Sequence, residues 1–194
     1  NYSSGKMGFA LAEACAEAGA EVMLVAGPVS LKTNHSSIDR IDVESAEEMY
    51  RAVLSEYDRS DIAIMCAAVA DYAPETVSDV KLKRTGEDRI LRLRPNPDIA
   101  AELGRRKRPG QCLVGFALET NDEEMNARLK MEKKNLDFIV LNSLRDAGAG
   151  FQCDTNKVTV IGKQGDPVEI PCKPKIEVAA DIVDIIGRYV SEAR

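Results

Sequence analysis

The chain has 194 residues, 44% of them hydrophobic and 30% charged, with a formal net charge of −6 and a pI near 5.0. That length and apolar share suit a single domain, residues 1–194, built on one substantial core, and the acidic balance argues against an extended nucleic-acid surface. No apolar stretch approaches the roughly 18 to 20 residues of a membrane span and no signal peptide is evident, so a cytoplasmic protein with neither nucleic acid nor membrane as partner is expected.

Asn1-Tyr2-Ser3-Ser4-Gly5-Lys6-Met7-Gly8 is a polar, glycine-bearing turn that runs into helical spacing from Phe9 to Ala18. Its free N–H groups and helix dipole would favour an anion, while an ordinary capped helix with Ser3 or Ser4 as N-cap explains it equally well. Gly19 stops the helix before a buried strand from Glu21 to Ala26, and Gly27-Pro28 breaks that strand ahead of a polar loop. Ser45-Ala46-Glu47-Glu48 is a capping-box pattern opening a helix to about Tyr57, and Asp61 to Val69 is a second apolar run. Ala73 to Arg94 is charged and broken, predicting a mobile loop and then a short half-exposed strand at Ile90 to Arg94. Pro97 suits the first turn of a helix to about Arg106, followed by a buried strand at Cys112 to Ala117. A helix from about Asp122 to Lys134 precedes the strand Phe138 to Leu141. Lys157 to Ile161 and Val168 to Ile170 predict a hairpin around Gly165-Asp166, and Ile176 to Val190 an amphipathic helix.

Alternating helices and apolar strands predict an α/β, Rossmann-like doubly wound fold, with a mostly parallel sheet covered by helices on both faces and a C-terminal β-hairpin. The helix at Gly8 lacks a strand before it. With an opening Asn in place of Met, this suggests an absent first strand and a fragment of a longer polypeptide. The cysteines Cys15, Cys66, Cys112, Cys153 and Cys172 are odd in number and without metal-ligand spacing, and read as reduced core thiols. His35 is the one imidazole and sits in a loop-like context, which leaves His-based triads and His-rich metal sites little support.

In doubly wound sheets ligands lie beyond the carboxyl ends of the strands. The candidates there are Gly27, Ala67 through Asp71, Phe116 through Asn121, and Asn142. Asp71 could bind a hydroxyl or a metal-bound phosphate, or simply cap a turn. Lys81, Lys83 and Arg84 could close over a triphosphate, although a solvated charge run is the usual explanation. Asn96-Pro97-Asp98-Ile99 could present free N–H groups or an ordinary cap. Lys130 and Lys134 share a helix face, facing either solvent or the crevice. Phe116 is more often core than a stacking platform.

In their order, Asn-x-Ser-Ser-Gly-Lys-Met-Gly, Ala-Ala-Val-Ala-Asp-Tyr, Lys-x-Lys-Arg, Asn-Pro-Asp-Ile, Gly-Phe-Ala-x-Glu-Thr and Lys-x3-Lys-Asn-x-Asp resemble phosphopantothenate-cysteine ligase, also called phosphopantothenoylcysteine synthetase, from Asn1 to about Thr159. The nearest form is the ligase half of the bacterial bifunctional coenzyme A biosynthesis protein. The resemblance implies that 4′-phosphopantothenate attacks the α-phosphate of CTP, with Mg²⁺ present, to give an acyl-cytidylate and pyrophosphate. The amine of L-cysteine then displaces CMP. It also implies catalytic roles for Lys81, at cytidylate formation, and for Asn1, at the acyl intermediate. Ser3, Gly5, Gly8, Met65, Cys66, Ala67, Asp71, Lys81, Pro97, Asp98, Ile99, Ala100, Phe116, Lys130, Lys134 and, as a weaker match, Asn142 fall on nucleotide-binding positions. Asn1, Ala67, Ala68 and Asp71 fall on substrate-binding ones. Asp71 is a candidate metal ligand, the metal otherwise being held through nucleotide phosphates.

Tyr2 stands where bacterial members of the family usually have His, and the family's upstream strand and flavin-dependent decarboxylase half are absent from this sequence, so no FMN is expected. A homodimer is implied, as is fusion to that decarboxylase in the full-length protein. The rival readings are an NAD(P)-dependent oxidoreductase, unsupported by any Gly-x-Gly-x-x-Gly, and a noncatalytic nucleotide-binding module.

Overall fold

The computed structural model describes residues 3–84, 86, 88–119, 122–143 and 154–192. Small and apolar residues at helical spacing form α1 (Lys6–Glu17), which ends at Ala18 with Gly19 left-handed at φ 90°. The apolar run after Glu21 forms β1 (Val22–Ala26), which is half-buried and not buried as expected, Ala26 alone being in the core. The stretch expected to be loop contains β2 (Ile38–Asp42), parallel to β1. Its sequence, Ile-Asp-Arg-Ile-Asp, is too polar to read as a buried strand, and Arg40 instead places its guanidinium 5.2 Å over the Phe9 ring of α1.

In α2 (Ala46–Tyr57) the capping box forms as expected: Ser45 Oγ accepts from the Glu48 N–H at 3.1 Å, and Glu48 Oε2 accepts from the Ser45 N–H at 3.2 Å. Strand β3 (Ile62–Met65) is shorter than the apolar run that encodes it. Next come β4 (Tyr72–Pro74) and β5 (Leu93–Pro95), paired antiparallel as the base of an arm. The half-exposed strand expected at Ile90 to Arg94 is thereby corrected: pairing begins only at Leu93, and β5 is exposed throughout. The chain then runs through α3 (Ile99–Arg106), β6 (Cys112–Glu119), α4 (Glu123–Lys133), β7 (Phe138–Ser143), β8 (Thr155–Gly162), β9 (Val168–Pro174) and α5 (Lys175–Glu192).

The main sheet has the order β3-β6-β7-β8-β9, with β3, β6 and β7 parallel and the β8–β9 hairpin antiparallel at one side. β1 and β2 form a separate parallel pair, so among the described residues the expected single sheet is split between β1 and β3. Strand side chains alternate between two cores. Val114, Val140, Val158 and Val160 pack with Ala10 and Leu11 of α1 and with Val178, Ala179 and Ile182 of α5. Leu113, Ile139, Leu141 and Ile161 pack with Met49 of α2, Leu103 of α3 and Met131 of α4. Helices thus cover both faces of the main sheet, the α/β arrangement expected from the sequence.

Candidate functional site

The carboxyl ends of β3, β6 and β7 form one edge of the main sheet, and α1 starts beside it. Gly5, at φ 78°, is the N-cap of α1, and no side chain caps the helix. The expectation that Ser3 or Ser4 would be the N-cap is therefore corrected. Gly5 takes that place because the turn requires a left-handed residue, and the two serines are engaged elsewhere. A side chain on Gly8 would meet nothing within 4 Å, so the first turn is open to close approach. The Lys6 ammonium lies 2.5 Å from Asp154 Oδ1, just ahead of β8, and the Lys175 N–H donates to the Asp154 carbonyl at 2.9 Å. Lys175 is buried at 7% exposure, at the start of α5. Asn1 lies outside the described residues, as do Thr120 and Asn121.

At the end of β3, Met65 packs toward α2, α3 and α4 and Cys66 toward α1 and α5. Burial pushes the Cys66 thiol up to about 12, against the opposing charge of Lys175, so it is a protonated, packed group near neutral pH. Ala67, Ala68 and Asp71 are exposed beyond it. Asn96 fixes this turn: its side-chain Nδ2 donates to the Ala70 carbonyl and its backbone N–H to the Asp71 carbonyl, both at 2.8 Å. The Ala67-to-Asp71 turn and the start of α3 are brought together in this way.

Pro97 precedes the N-cap rather than occupying the first helical turn, which corrects the expectation for α3. Asp98 is the cap, its Oδ1 accepting from the Ala101 N–H at 3.1 Å, and its carboxylate lies 3.0 Å from the Lys134 ammonium. Burial raises the Asp98 carboxyl, but the Ala101 N–H and Lys134 outweigh it and hold the group below its usual range. A carboxylate already on these N–H groups repels an anion, so this helix start suits a hydroxyl or amine donor. The side chain of Ile99 is in the core at 5% exposure, leaving its backbone as the part open to a ligand, and Ala100 is half-buried beside it.

Lys130 ion-pairs with Glu119 at the end of β6, and Lys134 with Asp98. Both cations are thus turned toward the crevice between α3, α4 and β6. Phe116 is half-buried on the opposite side of the sheet, packed with the α1 and α5 core. Asn142 ends the series on β7, with its Oδ1 buried and without a hydrogen-bond partner. Lys81, Lys83 and Arg84 are exposed on the arm between β4 and β5, away from these contacts, and no ion pair holds them among the described residues. Asp154, Asn156 and Lys175 join the edge without having been singled out in the sequence. A strand read from Lys157 left Asn156 just outside it. A depression on the outer face of α4, over Glu124, Met125, Arg128, Leu129 and Glu132, shares none of these residues.

Among the described residues no group of three or more His, Cys, Asp or Glu side chains could hold a metal ion, and none of their helices is long and apolar enough to cross a membrane.

The family described as DNA/pantothenate metabolism flavoprotein C-terminal domain matches residues 1–189. A protein from an unknown prokaryotic organism, named cysteine/cysteine sulfinic acid decarboxylase, is 55% identical, the match covering 94% of this chain and 51% of that protein. The coenzyme A biosynthesis bifunctional protein CoaBC of Bacillus subtilis (strain 168) is 49% identical over 96% of this chain and 46% of its own length. The chain therefore spans about half the length of these curated relatives. The crystal structure of the C-terminal domain of a coenzyme A biosynthesis bifunctional protein CoaBC matches with a TM-score of 0.82 and 38% identity, over 98% of this chain and 85% of that one.

Proposed function

Because this chain belongs to the DNA/pantothenate metabolism flavoprotein C-terminal domain family, we propose that it is a ligase domain of coenzyme A biosynthesis, joining 4′-phosphopantothenate to L-cysteine. CTP is the activating nucleotide, split to CMP and pyrophosphate through a phosphopantothenoyl-cytidylate. The observation that carries the reading is the convergence at one sheet edge of the open α1 start, the Ala67-to-Asp71 turn held by Asn96, and the crevice-facing pair Lys130 and Lys134. This edge supplies positioning and positive charge in place of a nucleophile, which suits a reaction between two substrate groups.

In this reading the nucleotide lies on the α3/α4 side, where Lys130 and Lys134 exchange their carboxylate partners for phosphates and Asp98 accepts from a hydroxyl or amine. The acyl substrate lies toward α1, its anionic end near Lys6 and the first-turn N–H groups. Lys81 is carried in on the arm and stabilises charge at the α-phosphate, and Asn1 serves the acyl intermediate in the second step. Mg²⁺ held through the nucleotide phosphates would supply neutralisation of their charge. Asp71, an exposed carboxylate on the Ala67-to-Asp71 turn, is the residue that would touch the metal. Fusion to a flavin-dependent decarboxylase half, a cytoplasmic location and a homodimer complete the proposal.

Pyrophosphate release by the full-length protein tests it. Release should require both phosphopantothenate and CTP, with ATP a poor substitute. No release with either nucleotide refutes the ligase reading. Lys81→Gln should slow cytidylate formation by about 100-fold or more, as loss of a charge-stabilising group does, and an unchanged rate removes Lys81 from the mechanism.

A further inference from the structure

Two side-chain amides on the α1/α5 side of the sheet edge, that of half-buried Asn142 and that of buried Asn156, are left short of hydrogen bonds. Asn142 lies two residues beyond Val140 on β7, which puts it on the face that packs against α1 and α5. Its Oδ1 is buried with no partner. Asn156 on β8 is 4% exposed. Its Oδ1 accepts from the Lys157 N–H at 3.2 Å, but its Nδ2 meets only the thioether of Met7 in the first turn of α1, at 3.9 Å. A thioether is a weak acceptor. Asn142 pairs with Val158, so Asn156 is its diagonal neighbour on the same face, at a spacing of roughly 7 to 8 Å.

A buried acceptor without a donor, and a buried N–H₂ served by sulfur alone, both cost free energy that a ligand would recover. Their spacing restricts which ligand. A nucleobase edge carries its donor and acceptor side by side and suits one forked amide. Two groups across a diagonal instead flank what lies between them, and a trans secondary amide presents its N–H and C=O on opposite sides. Both residues are uncharged and face α1, whereas the cations assigned to the nucleotide lie across the sheet on α4.

We infer that Asn142 and Asn156 bind the amide of the acyl substrate, Asn142 Oδ1 accepting from the amide N–H and Asn156 Nδ2 donating to the amide oxygen. This rests on the acyl-substrate reading above and moves Asn142 from the nucleotide to the pantothenate chain. The substrate amide lies between phosphate and carboxylate, so gripping it fixes both the anion near Lys6 and the reacting carboxylate.

The experiment uses the full-length protein with phosphopantothenate and with its ester analogue, in which oxygen replaces the amide N–H. The wild type should prefer the amide by about tenfold in KM, the worth of one hydrogen bond to a buried acceptor. Asn142→Leu should raise the KM for the amide substrate by about tenfold and abolish the preference, leaving the KM for nucleotide and for cysteine unchanged. Asn156→Leu should raise the KM for amide and ester alike. A wild type indifferent to the ester overturns the assignment without need of any variant. So does a variant that keeps the preference or shifts the nucleotide KM instead. Absent turnover in the wild type refutes the ligase reading itself; turnover without an amide preference refutes only the roles of Asn142 and Asn156.

Discussion

Asp137 stands at the amino end of β7, remote from the proposed chemistry. Its carboxylate, 7% exposed in the side chain, meets the Lys107 ammonium at 2.8 Å and the Lys163 ammonium at 3.1 Å. It also accepts from the Leu113 N–H at 2.8 Å, which ties it to the first residues of β6. Burial would raise this carboxyl, but Lys107, the Leu113 N–H and Lys163 together hold it below its usual value. Two cations share one anion, so they fare differently: burial and the neighbouring Lys163 pull Lys107 down, whereas Lys163, more exposed, is raised. Replacing Asp137 with Asn leaves two ammonium groups without their counter-charge, and should cost about 3 kcal/mol in unfolding free energy. The pH dependence has a definite sign. A carboxyl with a lowered folded pKa stabilises above its unfolded value, about 3.9, and that contribution is lost as pH falls toward the folded value. Melting temperature followed from pH 7 down through the acid range should therefore drop more steeply in the wild type than in Asp137→Asn. Parallel curves would mean that the triad contributes no linkage.

At the scale of elements, α3 and α4 touch where Gly104 passes the end of α4. A Cβ on Gly104 would lie 1.9 Å from the Lys134 carbonyl oxygen, and Asn135, left-handed at φ 51°, donates from Nδ2 to the Gly104 carbonyl at 3.0 Å. The contact is backbone against backbone, so no side-chain rotation relieves it. Gly104→Ala should destabilise by about 2 kcal/mol and, by shifting the residue that carries the Lys134 ammonium, raise the KM for nucleotide more than that for cysteine. Denaturant unfolding together with the two KM values checks this; an unchanged nucleotide KM would detach Lys134 from the nucleotide. None of this contact was legible in the sequence, where Gly104 was simply a helical residue. The elements themselves were largely legible. Ser45 and Glu48 announced α2, and the apolar runs marked β1, β3, β6 and β7, because local patterning and burial agree there. β2 and β4 were lost because their stability comes from partners rather than from composition: β2 from β1 and α1, β4 from β5. At the site, the carboxyl-edge rule located Ala67 to Asp71 and Asn142. Of the two readings of Asn96 to Ile99, the ordinary cap is the one Asp98 realises, whereas the pairing of Lys130 with Glu119 and of Lys134 with Asp98 was not legible, since it joins distant segments.

For the whole molecule, the arm between β4 and β5 is the proposed dimer contact. Val77, Val80 and Ile90 are 83%, 73% and 92% exposed, and Tyr72, Leu82, Leu91 and Leu93 are each more than half exposed. A two-stranded ribbon is marginal alone, and so many large apolar side chains exposed on one arm suit an interaction surface. The base of the arm is fixed by Asn96 beside the Ala67-to-Asp71 turn, so whatever covers the arm also determines where Lys81 is held. A second copy of the chain is the proposed cover, because a two-fold pairing of arms would bury identical apolar faces on both protomers. The comparison is made between variants of this domain, so that only this contact differs. Ile90→Asp combined with Leu91→Asp, both at exposed positions, should leave the unfolding free energy of the isolated domain within about 0.5 kcal/mol of the wild type while converting a dimer into a monomer. Cytidylate formation should fall with it, because Lys81 loses its support. A wild-type domain that sediments as a monomer at tens of micromolar, or a monomeric variant with full activity, would separate the arm from catalysis and leave Lys81 to be positioned within one chain.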